Sequence, residues 1–509
     1  SSALNNANFR ETQTASGLTQ NTAATSYVVD EDNIGGDARL TWRKRISESG
    51  RSIVAEGSAN LNEPDMAGLL SSTTGLYSPP GGTVTYNEIL QQQSRFGRTL
   101  RHSLRLSLTE PLGPGRVLEI FGQRNVIAED QTKSVYDLES GTPIFNNPLS
   151  SEFETTYTYL RGGLRFNRNT PDKRFMLGLQ VQNSNLDNNV LDQDVQFTNG
   201  YTHLLPSANF RVQFDQGESL DLRYTTSTRE PTMTELQPYV TNTDPLNVYV
   251  GNPTLTPEYT HALNTEYRLF DQFSFLNLFT FLRGTYTKDD IVMSRTVDAQ
   301  ARQVTTPVNA ARGWSTTGGA NLGTPIRRIG ARLSLEYNVT YSKGYEFVNS
   351  AENVARLLQN TIVVGLENRD KDVFDIRAGG RFTFNDVDYS LNDELNTDYL
   401  NRVFYASGTY YLGPWTFSTS MDYQMYDQEV FGAGQNVALL GASVSRLVME
   451  DRVEVQLIGF DLLNQNQGVS ITSTSSFIQE ERTESLNQHL MLKLIYRLGP
   501  SGVAMNVDR

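Results

Sequence analysis

The chain has 509 residues, no cysteine and a formal net charge of −14, with a pI near 4.9. Without thiols there is no disulfide framework, thiolate metal site or catalytic cysteine, and the acidic balance excludes a nucleic-acid partner, which needs a basic footprint. Hydrophobic residues make up only 38%, yet Phe and Tyr number 24 each and Gly 39, a balance that suits neither a large soluble α/β enzyme nor a disordered chain.

No run approaches 18 apolar residues, so no transmembrane helix is expected, and the opening SSALNNANFR is polar from its first residue, unlike a signal peptide. The chain reads as a mature form or a fragment. Part of ALNNANFRET (3–12) reads as the remnant of an outward-running strand, and the strand around Ile34 runs back. In RHSLRLSLTEPLGPGR (101–116), Leu104, Leu106 and Leu108 alternate with Ser103, Arg105, Ser107 and Thr109 before a Pro-Gly turn. The same period of two recurs in FMLGLQVQ, where Phe175, Leu177, Leu179 and Val181 share a face. It recurs in VFDIRAGGRFTF with Phe374, Ile376, Phe382 and Phe384 opposite Asp375, Arg377 and Arg381. WTFSTSMDYQM places Trp415, Phe417, Met421, Tyr423 and Met425 together, and HLMLKLIYRL does so with Leu490, Leu492, Leu494, Tyr496 and Leu498. A period of two is that of strands.

Most of these strands run about ten residues, longer than the five or six usual in globular sheets and the length that crosses a bilayer as a tilted strand. Short turns fall near 47–50, 113–115, 169–173, 215–218, 271–274, 325–330, 368–372, 412–414 and 449–451. Longer polar segments lie between them, the largest around 62–97, 128–150, 229–259 and 286–312. Tight turns at one end and long loops at the other are the arrangement of an outer-membrane barrel. The expected fold is therefore all-β: one domain over 1–509, a transmembrane antiparallel β-barrel of about twenty strands, greasy outside and wet inside. A soluble sandwich fits the strand lengths poorly and leaves the apolar faces uncovered. Trp415, Tyr410 and Tyr411 near strand ends suit an interfacial girdle. Side chains cannot fill so wide a lumen; either the long loops fold inward, or a plug domain lies upstream of residue 1.

Residues 226–267 read TSTREPTMTELQPYVTNTDPLNVYVGNPTLTPEYTHALNTEY. Arg229 and Pro231, then Leu236, Pro238 and Tyr239, then Gly251, Asn252, Pro253, Leu255, Pro257 and Glu258 resemble the Arg-x-Pro and GNPxLxPE elements of TonB-dependent outer-membrane receptors. The last hairpin, GFDLLNQNQGVSI followed by SLNQHLMLKLIYRLG, is similar to the same family, closest to its Bacteroidetes-type outer-membrane β-barrels. The tail PSGVAMNVDR (500–509) runs past the usual aromatic strand end. The resemblance implies a twenty-two-stranded barrel, two strands more than counted, and an N-terminal plug with a TonB-contacting segment, neither present in this stretch. It also implies that Glu258 and Glu266, on one lumenal face with Asn264 and Arg268, pair with plug arginines.

The function that follows is uptake of a scarce ligand (an iron chelate, a glycan or a peptide) across the bacterial outer membrane by plug-gated, TonB-driven passage. The alternative is a non-transporting barrel subunit of an envelope complex, and a third reading is a plugless passive channel. Expected partners are outer-membrane lipid and lipopolysaccharide, TonB through the plug region, and a surface lipoprotein; the apolar and aromatic stretch 66–82 (MAGLLSSTTGLYSPPGG) reads as a contact for the ligand or the lipoprotein, or equally as packing over the barrel mouth. No cofactor, metal or enzymatic activity is expected. His102, His203, His261 and His489 form no zinc pair, no nucleophile or phosphate motif occurs, and the acidic stretches Asp30–Asp32, Asp187–Asp194 and Asp386–Asp398 lack the EF-hand spacing and its central Gly.

Overall fold

A computed structural model of the chain describes residues 2–14, 16–138, 141–193, 195–238, 240–242, 244–393, 396–425, 436–449, 452–465, 469–473, 478–482 and 487–497. Tyr239, Asp194, Glu394, Leu498 and the tail 500–509 lie outside the described residues. One 23-stranded sheet dominates. Three of its strands are short pieces within connections, Ile144–Phe145, Val240–Thr241 and Asn247–Val250. The other twenty form a meander: β1 Ser2–Gln13, β2 Thr19–Arg45, β3 Ser52–Ser78, β4 Thr83–Gly113, β5 Arg116–Asp137, β6 Ser151–Asn169 and β7 Lys173–Val190 come first. They are followed by β8 Val195–Asp215, β9 Glu218–Arg229, β10 Glu258–Asp271, β11 Leu276–Val297, β12 Gln303–Ile326 and β13 Ala331–Val348. The series closes with β14 Ala351–Asn368, β15 Phe374–Tyr389, β16 Thr397–Leu412, β17 Trp415–Met425, β18 Val437–Val448, β19 Val453–Phe460 and β20 His489–Tyr496. Each pairs antiparallel with the next. Residues 3–12, expected as a strand remnant, form most of β1.

Register carries one face around the whole sheet, because residues directly opposite in an antiparallel pair point the same way. Phe374, Tyr410, Phe417, Val444, Leu457 and Leu492 are successive cross-strand partners from β15 to β20. Their face is the exposed one: Leu104 is 62% accessible, Leu106 57%, Leu492 66% and Leu494 67%. On the opposite face Arg105 bonds Glu119 at 2.7 Å and its guanidinium lies 3.8 Å above the Phe121 ring, with Phe121 buried. The molecule is thus greasy outside and charged inside, the inversion that a lipid exterior and an aqueous lumen impose. Of the three aromatics expected in a girdle, Tyr410 and Trp415 face outward. Tyr411 takes the other face by alternation and lines a lumenal pocket with Arg332 and Asp375.

The structure corrects the loop map. Residues 62–97 are not a loop: β3 and β4 stay paired up to Ser78↔Thr83. β5 reaches Asp137, and β11 and β12 pair up to Val297↔Gln303, so 128–137 and most of 286–312 are also strand. Beyond the bilayer both faces are wet, so a polar sequence pairs as well as an apolar one, and ladders of up to 31 residues continue well past the ten or so needed to cross. The acidic stretches change in the same way. Asp30 and Asp32 lie on β2, Asp187 on β7, and Asp386 and Asp388 on β15, where strand geometry rather than loop curvature places their carboxylates.

The inside-out arrangement yields a direct test. Leu179 on β7 points outward and Gln180 inward. Leu179→Arg is expected to lower unfolding free energy in lipid vesicles by about 2–4 kcal/mol, and Gln180→Arg by under about 1 kcal/mol, read by denaturant titration of tryptophan fluorescence.

Candidate functional site

The segment between β9 and β10, residues 230–257, is where the sequence motif lies, and it folds inward. Arg229 ends β9 and Glu258 begins β10, directly opposite one another. Their side chains make a two-bond ion pair, Nη2 to Oε1 at 2.7 Å and Nε to Oε2 at 2.8 Å. Arg229 Nη1 also donates to Glu235 Oε2 at 3.0 Å. Glu235 belongs to α1, Met233–Leu236, a single turn whose N-cap Thr232 accepts from Glu235 N while the Glu235 carboxylate accepts from Thr232 N, a capping box. The backbone N–H of Ile291 donates to Glu258 Oε1 at 2.8 Å. One guanidinium therefore clamps both stalks of the segment and its helix, in the fork geometry that makes such pairs strong.

The remaining motif residues shape what the clamp holds. Gly251 is required sterically: a Cβ there would run into the carbonyl of Gln237. Asn252 N–H donates to Glu235 O at 2.6 Å, its Nδ2 to Pro307 O at 3.0 Å, and its Oδ1 accepts from Thr254 N. Pro253 follows in the same turn, and Pro231 and Pro257 are buried beside the two stalks, where a fixed φ and a missing N–H suit irregular chain. Leu236 and Leu255 are fully buried against Phe153 and Tyr157 of β6 and Leu186 and Val190 of β7, all on the inner wall.

From this anchor the segment crosses the mouth. Gln131 and Lys133 of β5 donate to Gln237 Oε1 and Val240 O at 3.4 and 3.3 Å. Asn242 donates to Gln91 of β4 at 3.0 Å. Asp244 pairs with Arg10 of β1, and Asn247–Tyr249 run parallel to Gln303–Thr305 of β12. Strands as far apart in sequence as β1 and β12 thus touch one segment, which requires the sheet to curl around it. Tyr249 is half-buried there, and burial, with Glu235 nearby, pushes its phenol up to about 12.

Below the clamp, toward the short turns, the lumenal wall carries a ladder of arginines. Glu119 bridges Arg105 and Arg165 at 2.7 and 3.2 Å. Glu266 pairs with Arg268 at 2.8 Å and lies 3.9 Å from Arg283, and these arginines lie over Phe279 and Phe281. Arg211 and Arg223 complete a pocket of about 540 Å3 with Asp221, Asn264 and Glu266, and neither makes an ion pair with the described residues. Sequence reasoning placed Glu258 and Glu266 together on the lumenal face with Asn264 and Arg268. It missed Glu235, the Arg10–Asp244 pair and the ladder. Each arginine sat on a polar face that was readable strand by strand, but their meeting depends on register.

Removing the clamp is expected to free the segment and spare the barrel. For Glu258→Gln the cost of stranding a half-exposed arginine is about 2 kcal/mol, which raises amide exchange across 232–256 by about thirty-fold. Gly251→Ala should do the same by collision. Strand amides and the heat-modifiable gel mobility of a folded barrel should not change.

The sequence matches the outer membrane protein beta-barrel family over residues 44–496. No curated protein matches the chain. Among solved structures, the ferric citrate transporter FecA in its unliganded form is similar at 10% identity and a TM-score of 0.44, with 96% of this chain and 74% of that chain covered. The FrpB iron transporter of Neisseria meningitidis is similar at 10% identity and 0.39, covering 93% and 77%. A mutant ferric enterobactin receptor of Pseudomonas aeruginosa with enterobactin is similar at 10% identity and 0.33, covering 82% and 75%.

Proposed function

Because the chain belongs to the outer membrane protein beta-barrel family and so resides in the bacterial outer membrane, we propose that it is the barrel of a gated, TonB-dependent transporter. The observation that carries this reading is the inward-folded segment 230–257, clamped by Arg229 to Glu235 and Glu258. A structural scaffold has no need of a strap across its mouth, whereas a wide pore that must stay shut does. Scarce cargo, such as an iron chelate, a glycan or a peptide, enters from the long-strand side and is held at the strap. A plug seated in the lower lumen completes the seal until TonB draws on it. The arginine ladder is that seat: Arg211 and Arg223 offer guanidinium groups to plug carboxylates, while Glu266 keeps its partners on the barrel wall. This is binding and gating rather than bond chemistry.

Two measurements test it. Cells lacking this protein and cells lacking TonB should leave the same solutes unconsumed in the medium; a protein whose loss changes no solute, yet which purifies in fixed ratio with other envelope proteins, is a scaffold instead. In planar bilayers the native protein should pass little steady current, and deletion of 232–256 with a short glycine bridge should raise it. A large steady current through the native protein would identify a passive channel.

A further inference from the structure

The outward face of β10–β13 departs from the apolar pattern in one place. Cross-strand rows there can be read directly from register. Leu269, Leu278, Leu322 and Leu335 form a row near the short-turn end, as hydrocarbon demands. Three rows nearer the long-strand end run Leu263–Gly284–Thr316–Tyr341, then His261–Tyr286–Trp314–Lys343, then Tyr259–Lys288–Arg312. The wall thus passes from aliphatic to aromatic to cationic over a few residues.

These residues enclose a groove of about 460 Å3 lined by His261, Leu263, Tyr286, Arg312, Trp314 and Lys343. Its floor is open because Gly284 has no side chain and nothing lies closer than Thr316 Oγ1, 3.8 Å from where a Cβ would be. The aromatic wall is braced: Trp314 and Tyr341 rings are 4.9 Å apart, His261 and Tyr286 5.9 Å, and Tyr224 Oη hydrogen-bonds His261 Nδ1 at 2.8 Å. Lys288 has Asp289 at 3.9 Å. Arg312 and Lys343 make no ion pair with the described residues; Tyr345 lies beside both, its ring 5.4 Å from Lys343 Nζ.

We propose that this groove binds one molecule of the phosphorylated glycolipid of the outer leaflet, with an acyl chain over Gly284 between the aromatic rings and a sugar phosphate on Arg312 and Lys343. Charge complementarity selects the occupant. Two cations in no ion pair among the described residues, with Glu352 acting on Arg312 only at longer range, stand at the rim of an apolar groove on the lipid-facing wall and call for an amphiphile with an anionic head, and the groove lies toward the long-strand end, the outer side of such barrels. The site is on the opposite face of the wall from the strap and ladder, so it stands apart from the transport reading.

The test is native mass spectrometry of the full-length protein, stripped of lipid in zwitterionic detergent and titrated with bisphosphorylated lipid A. Arg312→Gln with Lys343→Gln should weaken binding about thirty-fold, on the scale of one basic residue each at a lipid surface, and removing the phosphates from the lipid should weaken it equally. Gly284→Leu, whose Cβ would meet nothing closer than Thr316 Oγ1 at 3.8 Å and which leaves the charge unchanged, should also block binding, and all three proteins should keep heat-modifiable mobility. Unchanged affinity in the double variant or in Gly284→Leu overturns the site. Equal affinity for phosphatidylglycerol, or displacement by millimolar inorganic phosphate, overturns the glycolipid assignment.

Discussion

Hydrocarbon offers no hydrogen bonds, and this absence governs the whole molecule. Every backbone N–H and C=O that crosses the bilayer has to find its partner on a neighbouring strand, because an unmade bond there costs several kcal/mol. The uninterrupted ladder from β1 to β20 is the answer to that demand. Its two edges face the same requirement, which in a bilayer is met when the sheet closes on itself. With the backbone satisfied by pairing, the side chains are left to meet two different solvents, and alternation sorts them.

A wide cylinder creates a second problem, because what it encloses is water. Segment 230–257 deals with this using few residues. Its two apolar anchors, Leu236 and Leu255, hold it to the inner wall, and a single guanidinium ties its stalks and its helix together. Across its span it is held by the buried amides of Gln91, Gln131 and Asn242, by the Arg10–Asp244 pair and by a short parallel pairing with β12. An element joined to the wall largely by side-chain bonds and a three-residue pairing, outside the barrel's own ladder, is suited to move without unfolding the barrel.

The ladder gathers six arginines against Glu119, Asp221 and Glu266 in a protein whose net charge is −14. Stacking on Phe121, Phe279 and Phe281 fixes arginine side chains that would otherwise sweep a large volume, so that their charge is presented at defined heights. On the outside the same residue types appear at Arg312 and Lys343, toward the long-strand end of the wall. Position relative to the two solvents, rather than residue type, decides what each cation does.

Alternation such as that of Leu104, Leu106 and Leu108 with Arg105 was enough to establish strands and their two faces, and the short turns gave their number and, with strand length, the membrane setting, because a period of two is a local property and each strand must satisfy the same two solvents. The short turns were legible for the same reason. Strand ends were not: once both faces are wet, as beyond the bilayer in β3 and β4, polarity no longer separates strand from loop and only pairing does. The motif around Arg229 and GNPTLTPE was visible as a pattern, but its role as a clamp was not, since Glu235, Glu258 and Ile291 meet only when β9, β10 and β11 fix their stagger. The arginine ladder and the cationic groove likewise join residues from four or more strands. Register is set by the whole sheet, so tertiary structure alone decides which of the many alternating charges become neighbours.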